Sequence, residues 1–242
     1  MAQGSWEPPS GLLRFPPSEQ VLCGHGSNAR CLQCSGRETL EVAASTHATF
    51  CRAFSSVAYF TRPTQGEVSK LAVPQRSLAA GEILFASFAA LVLQVLRPGP
   101  LEMFLDLGSG TGRAVVAWAL LVPGGIAAGV EIREALHETA CEVAAGLDPT
   151  VQQRVSLHLG DMFHCDGWGD ADVLFVNSTG FEAPLMRAVA KKLQEETKAT
   201  ARVITLSQPF EEGSMPGWTL VHQSPYRMTW GNDQIFTIAE GR

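Results

Sequence analysis

The chain has no apolar run long enough to cross a lipid bilayer. Its longest run, residues 83–96, is interrupted by Ser87 and Gln94, whereas a transmembrane helix needs roughly 20 apolar residues. The first residues also lack the basic start and the apolar stretch of a secretory signal peptide. We therefore expect an intracellular protein without a membrane segment, whose cysteines are reduced.

An excess of basic charge is also missing. The chain has 18 Lys and Arg against 24 Asp and Glu, a formal net charge of −6, which argues against tight sequence-independent binding to DNA through the chain as a whole. The richest basic cluster lies on a predicted helix, and its spacing favours a solvated face over a DNA-binding patch. This cluster consists of Arg187, Lys191, Lys192 and Lys198.

The composition allows one substantial hydrophobic core, because 45% of the 242 residues are hydrophobic. Residues 1–18 are rich in Pro, Gly and Ser, and we expect them to be disordered. We predict an N-terminal arm or subdomain over residues 19–79 and one catalytic domain over residues 80–242.

The apolar pattern predicts an α/β fold. Apolar residues at spacings of three, four and seven indicate a helix over residues 82–96, and alternating β and α elements after it imply a mostly parallel sheet with helices on both faces. Residues 218–222 and 234–239 follow one another without a helix, so we expect an antiparallel hairpin at the sheet edge. The other predicted strands are residues 103–107, 126–132, 155–159, 173–176 and 202–206, and the other helices are residues 112–121, 134–145 and 183–195.

A glycine-rich turn between the first strand and the next helix is the most informative stretch. Gly108, Gly110 and Gly112 follow an apolar run that contains Asp106. Without a Cβ, they let the backbone turn tightly and bring its N–H groups close to a ligand where the helix begins. Arg113 stands where the dinucleotide fingerprint needs a small residue, which disfavours a nicotinamide or flavin cofactor. The pattern indicates another nucleotide-type cofactor, and a packing turn in an unrelated α/β protein is the alternative.

Two acidic residues lie where later strands end. Glu131 is at the carboxyl end of the second strand, where a carboxylate accepts hydrogen bonds from ribose hydroxyls; a surface acid is the alternative. Asp161 follows the third strand, where it suits the exocyclic amine of adenine, while Met162 or Phe163 suits the face of the ring. An ordinary Gly-Asp turn is the alternative for Asp161.

Asn177 and Phe181 follow the fourth strand, at the same edge of the predicted sheet. The carbonyl oxygen of Asn177 is able to orient an amine, although Asn at a strand end is often only a turn former. We expect the substrate to arrive at this edge.

A pattern of soft metal ligands lies in the N-terminal arm and comprises Cys23, His25, Cys31 and Cys34. Four such ligands are able to hold a tetrahedral zinc ion, and free cysteines in a flexible arm are the favoured alternative. No metal ligand is expected in the catalytic site.

Taken together, these motifs resemble those of the DOT1-type (disruptor of telomeric silencing, non-SET) histone H3 lysine methyltransferases. This family belongs to the class I S-adenosylmethionine-dependent methyltransferases. The resemblance covers roughly residues 80–240 and depends on the order and spacing of the motifs. They are Ala80-Gly81-Glu82, Asp106-Leu107-Gly108-Ser109-Gly110-Thr111-Gly112-Arg113, Gly129-Val130-Glu131, Gly160-Asp161-Met162-Phe163, Phe175-Val176-Asn177-Ser178-Thr179-Gly180-Phe181, Ser207-Gln208-Pro209-Phe210 and Met228-Thr229-Trp230.

The resemblance implies a seven-stranded Rossmann-like fold and S-adenosylmethionine as the cofactor. It also implies a lysine of histone H3 in nucleosomes as the methyl acceptor, and hence a nuclear location. It assigns cofactor-binding roles to Glu82, Asp106, Gly108, Ser109, Gly110, Gly112, Glu131, Asp161, Met162 and Asn177. It places Asn177 beside the transferring methyl group, and it places Phe181 and Trp230 in the wall of a lysine channel.

The chain departs from the family pattern at two places. Ala80 stands where the family usually has Tyr before Gly-Glu, so we expect one wall of the cofactor loop to be thinner or to be supplied by another segment. Ser178-Thr179-Gly180-Phe181 is a smaller and more polar version of the family's Asn-Phe-Ala-Phe run, so we expect a roomier channel. The long basic extension of many members is missing, and we expect an accessory protein or nucleosomal contacts to supply affinity. Two other functions stay open: a class I methyltransferase that acts on a small molecule or a non-histone protein, and a catalytically silent cofactor-binding module.

Overall fold

The computed structural model describes residues 44–59, 62–71, 74–78 and 81–240. Segment 1–18, the group formed by Cys23, His25, Cys31 and Cys34, and Ala80 all lie outside these residues. Within the described residues, no helix is both long and apolar enough to span a membrane.

Seven strands form the central sheet. They are β1 Met103–Leu107, β2 Ile126–Glu131, β3 Val155–Leu159, β4 Val173–Val176, β5 Arg202–Leu206, β6 Trp218–Met228 and β7 Gly231–Glu240. Their order across the sheet is β3-β2-β1-β4-β5-β7-β6. Pairing is parallel from β3 to β5 and antiparallel for β5 with β7 and β7 with β6. The predicted α/β fold, with a mostly parallel sheet and an antiparallel C-terminal hairpin, is confirmed.

Helices cover both faces of the sheet. They are α1 Ala44–Ala53, α2 Gln65–Leu71, α3 Phe85–Ala90, α4 Arg113–Leu121, α5 Glu134–Ala145, α6 Pro149–Gln152 and α7 Ala183–Glu196. Short 3₁₀ turns are formed by Gln75–Leu78, Met162–His164 and Ser178–Gly180.

The helix predicted over residues 82–96 begins later and changes its winding. It starts at Phe85 because Ile83 is extended and bridges Met228 of β6. After α3, the chain continues as a π-helical segment, Leu91–Leu96. Arg97 ends this segment in a left-handed conformation with φ 46°, and its N–H donates to the carbonyl oxygen of Val92 at 2.8 Å.

The strand β1 divides the hydrophobic core between the two faces. Phe104 lies in one cluster of buried residues, whereas Leu105 lies in the other. Phe104 stacks on Trp118 of α4 with 4.9 Å between ring centroids, and Phe50 of α1 is buried in the same cluster. Burial of one such side chain contributes about 1.5–3 kcal/mol, so α1 is held to the same core as the sheet.

The carboxyl ends of β1, β2 and β4 meet at one edge of the sheet. The strands β2 and β3 lie on one side of β1, whereas β4 and β5 lie on its other side, so the strand order reverses at β1. In open α/β sheets, ligands bind in the crevice outside such a reversal of strand order. The sheet therefore places its ligand crevice next to the glycine-rich turn after β1.

Candidate functional site

A cavity of about 390 Å³ opens at this edge of the sheet. Its volume lies within the range of roughly 300–1,000 Å³ that is typical of small-molecule sites. The predicted site residues that line it are Glu82, Asp106, Gly108, Ser109, Gly110, Glu131, Asp161, Met162, Asn177 and Phe181. Gly112 and Trp230 are not among the lining residues.

The glycine-rich turn forms one side of the cavity. The N–H groups of Gly108 and Ser109 both donate to the carbonyl oxygen of Val130 at 2.9 Å, which ties the turn to β2. Gly108 has φ 99°, and a Cβ added there would meet nothing within 4 Å. The backbone conformation therefore favours glycine at this position and leaves open space beside it. Gly112, with φ 83°, precedes α4 and packs against Ala140 instead.

Glu131 lies beneath the turn at the end of β2. Its Oε2 accepts a hydrogen bond from Gly110 N at 2.7 Å, and its Oε1 accepts one from Arg133 N at 2.8 Å. Burial raises the pKa of this carboxyl, while the two backbone donors partly oppose the effect. Each carboxylate oxygen has two acceptor positions, so Glu131 is able to accept further hydrogen bonds from a ligand.

Glu82 and Arg113 form a buried ion pair at the start of α4. Arg113 Nε donates to Glu82 Oε2, and the N–H of Thr111 donates to Glu82 Oε1 at 3.3 Å. The guanidinium of Arg113 lies 4.5 Å from the ring centroids of both Phe54 and Tyr59. These two cation–π contacts help to keep this buried charge in place. Burial raises the pKa of Glu82 despite its charged partner.

Asp106 is a buried acidic residue at the cavity. It is 3% exposed, and within the described part of the chain its Oδ1 has no hydrogen-bond partner. Burial raises the pKa of Asp106 well above its ordinary value, and the nearby Glu131 and Glu82 raise it further. A buried carboxyl without a partner is costly, and a cationic ligand in the cavity would relieve that cost.

Arg133 connects the cavity to α2. Its Nε donates to Glu67 Oε1 at 3.0 Å, and its Nη1 donates to the carbonyl oxygen of Leu78 at 3.2 Å. The hydrogen bond from Arg133 lowers the pKa of Glu67 to about 2. Arg113 and Arg133 both line the cavity, and the sequence analysis assigned a site role to neither.

The opposite wall contains the turn after β3. Asp161 Oδ1 accepts a hydrogen bond from Phe163 N at 2.9 Å, so this carboxylate does cap a turn. Asp161, Met162 and Phe163 all line the cavity, and an adenine-binding role for them stays a prediction. The indole Nε1 of Trp168 donates to the carbonyl oxygen of Met162 at 3.0 Å and fixes the turn to the core.

A family model described as "Histone methylation protein DOT1" matches residues 76–215. The chain belongs to this family. Among curated proteins, it is 25% identical over 128 residues to "Histone-lysine N-methyltransferase, H3 lysine-79 specific" of Caenorhabditis elegans. That match covers 48% of this chain and 13% of the relative, so the chain spans a small part of the relative's length.

Solved structures show the fold of this DOT1 family member. TrmN from Thermus thermophilus superposes with a TM-score of 0.50 and 16% identity, over 65% of this chain and 52% of the other. The mitomycin 7-O-methyltransferase MmcR gives the same TM-score and identity, over 65% of this chain and 53% of the other. The chain thus has the Rossmann-like fold of class I methyltransferases.

The run in which the chain departs from the DOT1 family pattern forms the 3₁₀ turn Ser178–Gly180. A Cβ added at Gly180 would lie 2.1 Å from the carbonyl oxygen of Arg76. The buried hydroxyl of Ser178 donates to the carbonyl oxygen of Leu206. Residue 180 therefore has to be small, because two backbone segments approach each other closely there. The hydroxyl of Ser178 ties the turn to the end of β5.

Asn177 joins this turn to the segment that carries Glu82. Its Nδ2 donates to the carbonyl oxygen of Gly81 at 2.6 Å, and its Oδ1 accepts from Thr179 Oγ1 at 2.8 Å. These contacts define which end of the amide is oxygen. Asn177 is half-buried and lines the cavity, so its amide faces both the cavity and the segment that contains Gly81.

Trp230 lies on the outer side of that same segment. A Cβ added at Gly81 would be 2.5 Å from its ring, so the indole packs directly on Gly81. Next to it, Thr229 N donates to Glu82 O at 3.0 Å, and Glu82 N donates to Thr229 Oγ1 at 3.1 Å. The β6–β7 turn therefore holds the segment that carries Glu82 against the cavity.

The charges around the cavity favour a cationic ligand. Its acidic lining residues are Glu82, Asp106, Glu131, Asp161 and Glu182. Its basic lining residues are Arg113 and Arg133, and each is already paired with a carboxylate.

Proposed function

We propose that this chain is an S-adenosylmethionine-dependent histone-lysine N-methyltransferase that acts on a lysine of histone H3 in nucleosomes. One observation carries the proposal: a DOT1 family fold in which an acidic, glycine-lined cavity contains the buried carboxyl of Asp106, whose Oδ1 has no hydrogen-bond partner among the described residues. The relative from C. elegans, named for H3 lysine-79, supports histone H3 as the substrate. A nuclear location follows from that substrate.

The cavity residues fit this cofactor, which carries a positive charge on sulfur and another on its amino group. Gly108, Ser109 and Gly110 hold the amino acid end, where Asp106 supplies the negative charge. Glu131 accepts hydrogen bonds from the ribose, and Asp161 with Met162 holds the adenine. Glu82 keeps its segment closed over the cavity through Arg113. When bound, S-adenosylmethionine supplies a methyl group that is activated for attack by an amine.

The acceptor lysine must be neutral to attack the methyl group. Phe175 and Phe181 give the cavity an apolar wall beside Asn177, and an apolar surrounding disfavours the charged form of an amine. The carbonyl oxygen of Asn177 accepts an N–H of the amine and directs its lone pair. Positioning of the two reactants supplies most of the rate.

The first test is transfer of a radiolabelled methyl group from S-adenosylmethionine to recombinant nucleosomes, followed by mass spectrometry of histone H3. Asn177→Ala is expected to reduce transfer at least tenfold and leave cofactor affinity, measured by calorimetry, nearly unchanged. Equal losses would instead place Asn177 in cofactor binding. Gly110→Arg is expected to abolish cofactor binding by filling the cavity. No heat on mixing the wild-type chain with S-adenosylmethionine would sink the proposal.

A class I methyltransferase that acts on a small molecule or a non-histone protein is the second candidate. The observation that favours it is the pairing of each basic residue in the cluster on and after α7 with a nearby carboxylate, which leaves no net positive patch there for DNA. Methylation of small-molecule amines or other proteins in cell extract, with none on nucleosomes, would select it. Cofactor binding without any methylated product would indicate a catalytically silent module.

A further inference from the structure

Two buried side-chain atoms at the cavity have no hydrogen-bond partner among the described residues, and one belongs to an acid and the other to a base. They are Asp106 Oδ1 and Arg113 Nη1. Both residues line the cavity, and their exposed fractions are 3% and 2%. Asp106 lies in β1 and Arg113 begins α4, so the glycine-rich turn separates the two in the chain. Buried polar atoms without a partner are rare in proteins, and two of them at one cavity indicate a ligand that pairs with both.

The guanidinium of Arg113 is fixed by its other two nitrogens. Nε donates to Glu82 Oε2, and Nη2 donates to the carbonyl oxygens of Val57 at 2.9 Å and Ala58 at 3.5 Å. The group also lies 4.5 Å from the centroids of two aromatic rings. An arginine has five N–H groups, and two of them are on Nη1. These two N–H groups are therefore held in place and, within the described part of the chain, are left for a ligand.

The start of α4 adds to the attraction for an anion. Arg113 and Ala114 are the first two residues of this nine-residue helix, and both line the cavity. The first N–H groups of a helix have no acceptor within the helix, and the helix dipole favours negative charge there. The cavity thus has a place for an anion at Arg113 and a place for a cation at Asp106.

An α-amino acid group suits both places. At neutral pH it has an ammonium and a carboxylate on the same carbon atom, and S-adenosylmethionine ends in such a group. We propose that Arg113 Nη1 binds the carboxylate of this group while Asp106 binds its ammonium, so that Arg113 makes the site specific for ligands with an intact amino acid end. This inference rests on the proposed function and adds a binding role for Arg113.

The net charge of the cavity lets the sign of one measurement decide. Its lining has five acidic residues and two basic ones, and such a surface attracts the more positively charged of two ligands. Removal of the carboxylate from S-adenosylhomocysteine, the product of methyl transfer, makes that ligand more positive by one charge. Without a carboxylate anchor, the decarboxylated analogue should therefore bind at least as tightly as S-adenosylhomocysteine. With Arg113 as the anchor, it should bind more weakly, because Nη1 stays buried and unpaired.

Calorimetric titration of the wild-type chain with the two ligands tests the anchor. The decarboxylated analogue is expected to bind about ten- to a hundredfold more weakly, the effect of lost hydrogen bonds between charged groups. Equal or tighter binding of the analogue would overturn the inference while the proposed function stands. Absence of binding by both S-adenosylmethionine and S-adenosylhomocysteine would refute the proposed function, and the inference with it.

Two substitutions separate Arg113 from the start of α4. Arg113→Gln removes the charge, so the ratio of the two affinities should fall below about threefold. Glu82→Gln is the matched control, because it breaks the same ion pair but keeps the guanidinium. Its affinity ratio should be at least as large as that of the wild type, since a competing carboxylate is gone. A wild-type ratio in Arg113→Gln would assign the carboxylate to the helix start and overturn the role of Arg113.

A third substitution tests whether charge at position 113 is what matters. Arg113→Lys keeps the positive charge but loses the planar fork of donors. Its affinity ratio is expected between those of the wild type and Arg113→Gln. A purely structural role, in which Arg113 only holds the segment of Glu82, predicts that every variant weakens both ligands by the same factor. The comparison of ligands on the wild-type chain needs no variant, so the inference can be overturned even where a substitution prevents folding.

Discussion

The carboxyl of Asp106 is buried, has two acidic neighbours, and has one oxygen without a hydrogen-bond partner in the described part of the chain. Its raised pKa means that the native chain binds a proton more tightly than the unfolded chain at this position. Such a group contributes stability below its ordinary pKa of 3.8 and loses that contribution as the pH rises through the native value. At neutral pH, Asp106 therefore destabilises the cofactor-free protein. We attribute the presence of this carboxyl to a role in binding a cation.

Asp106→Asn is expected to stabilise the cofactor-free protein at neutral pH, because it removes a buried charge. Relief of about 1–2 kcal/mol would raise Tm by about 2–8 °C for a domain of this size. The gain should shrink as the pH is lowered toward the ordinary range of the carboxyl. The same variant should bind S-adenosylmethionine at least tenfold more weakly. Scanning calorimetry and titration measure the two effects, with Asp161→Asn as a control for stability; a lower Tm for Asp106→Asn would contradict the argument.

The sequence predicted the cavity residues that belong to a recognisable motif. It did not predict the cavity residues whose position depends on contacts with distant parts of the chain. Glu82, Glu131 and Asn177 each lie at a strand end or in a recognisable motif, and all line the cavity. Arg133 pairs with Glu67, 66 positions away, and no local pattern reveals such a contact. A site role for Arg113 was suggested by the sequence, because a large charged residue follows the glycine-rich turn. Its contacts with the carbonyl oxygen of Val57 and with the ring of Phe54 were not evident.

The helix α2 shows how an element outside the sheet is fixed to the site. Glu67 pairs with Arg133, which follows β2 and lines the cavity, through Arg133 Nε at 3.0 Å. The lowered pKa of Glu67 means that this ion pair contributes stability above the ordinary value of 4.5 and loses it as the pH falls toward about 2. We therefore expect α2 to stay attached at pH 4, where an ordinary glutamate is half protonated or more.

Glu67→Gln should detach α2 without unfolding the sheet. Amide hydrogen exchange in residues 65–71 is expected to accelerate about tenfold or more, while exchange in the central strands remains slow. The difference between variant and wild type should disappear only near pH 2. Glu134→Gln is the control, since Glu134 of α5 forms an exposed ion pair with Lys70 of α2. Equal acceleration in both variants would show that charge alone, rather than the contact with Arg133, holds α2.

The two 3₁₀ turns Gln75–Leu78 and Ser178–Gly180 depend on glycine for their close approach. Gly180→Ala would place a methyl group 2.1 Å from a backbone oxygen of Arg76, so we expect a loss of about 1–3 kcal/mol. Gly160→Ala is the control, because nothing lies within 4 Å of its added methyl group. Thermal unfolding compares the two. Similar Tm values would mean that the turns separate at little cost.

Elements with a strong local pattern were predicted closely, whereas elements shaped by tertiary contacts were not. The helix α5, Glu134–Ala145, has the predicted bounds. The strand β6 extends to Met228, beyond the predicted residue 222, because it pairs with β7 along its whole length. The start of the helix predicted from residue 82 was wrong because Ile83 pairs with β6, a contact from the far end of the described chain.

The charge of the whole molecule bears on its partners. The basic cluster predicted to be a solvated face forms ion pairs with Asp172, Glu195, Glu196 and Glu211. The net charge is −6. Histone surfaces are basic, whereas DNA is acidic, so the overall charge favours contact with histones over contact with DNA.

Free DNA should bind this chain weakly. We expect a dissociation constant above about 10 µM at physiological salt, with a salt dependence that corresponds to fewer than about two phosphate contacts. Fluorescence anisotropy with a labelled 20-base-pair duplex at several salt concentrations measures both quantities. Lys191→Ala with Lys192→Ala should change neither. Micromolar or tighter binding with a steep salt dependence would reveal a basic surface outside the described residues or a rearranged α7.

The contact between the β6–β7 turn and the segment that carries Glu82 has a consequence for how the protein is made. Residues 81–83 line the cavity, and residues 228–230, which are far from them in the chain, hold them in place. Ribosomes add about 5–20 residues per second in sequence order, so the parallel strands are exposed for several seconds before the hairpin exists. A nascent chain should therefore bind no cofactor until residue 230 has left the exit tunnel.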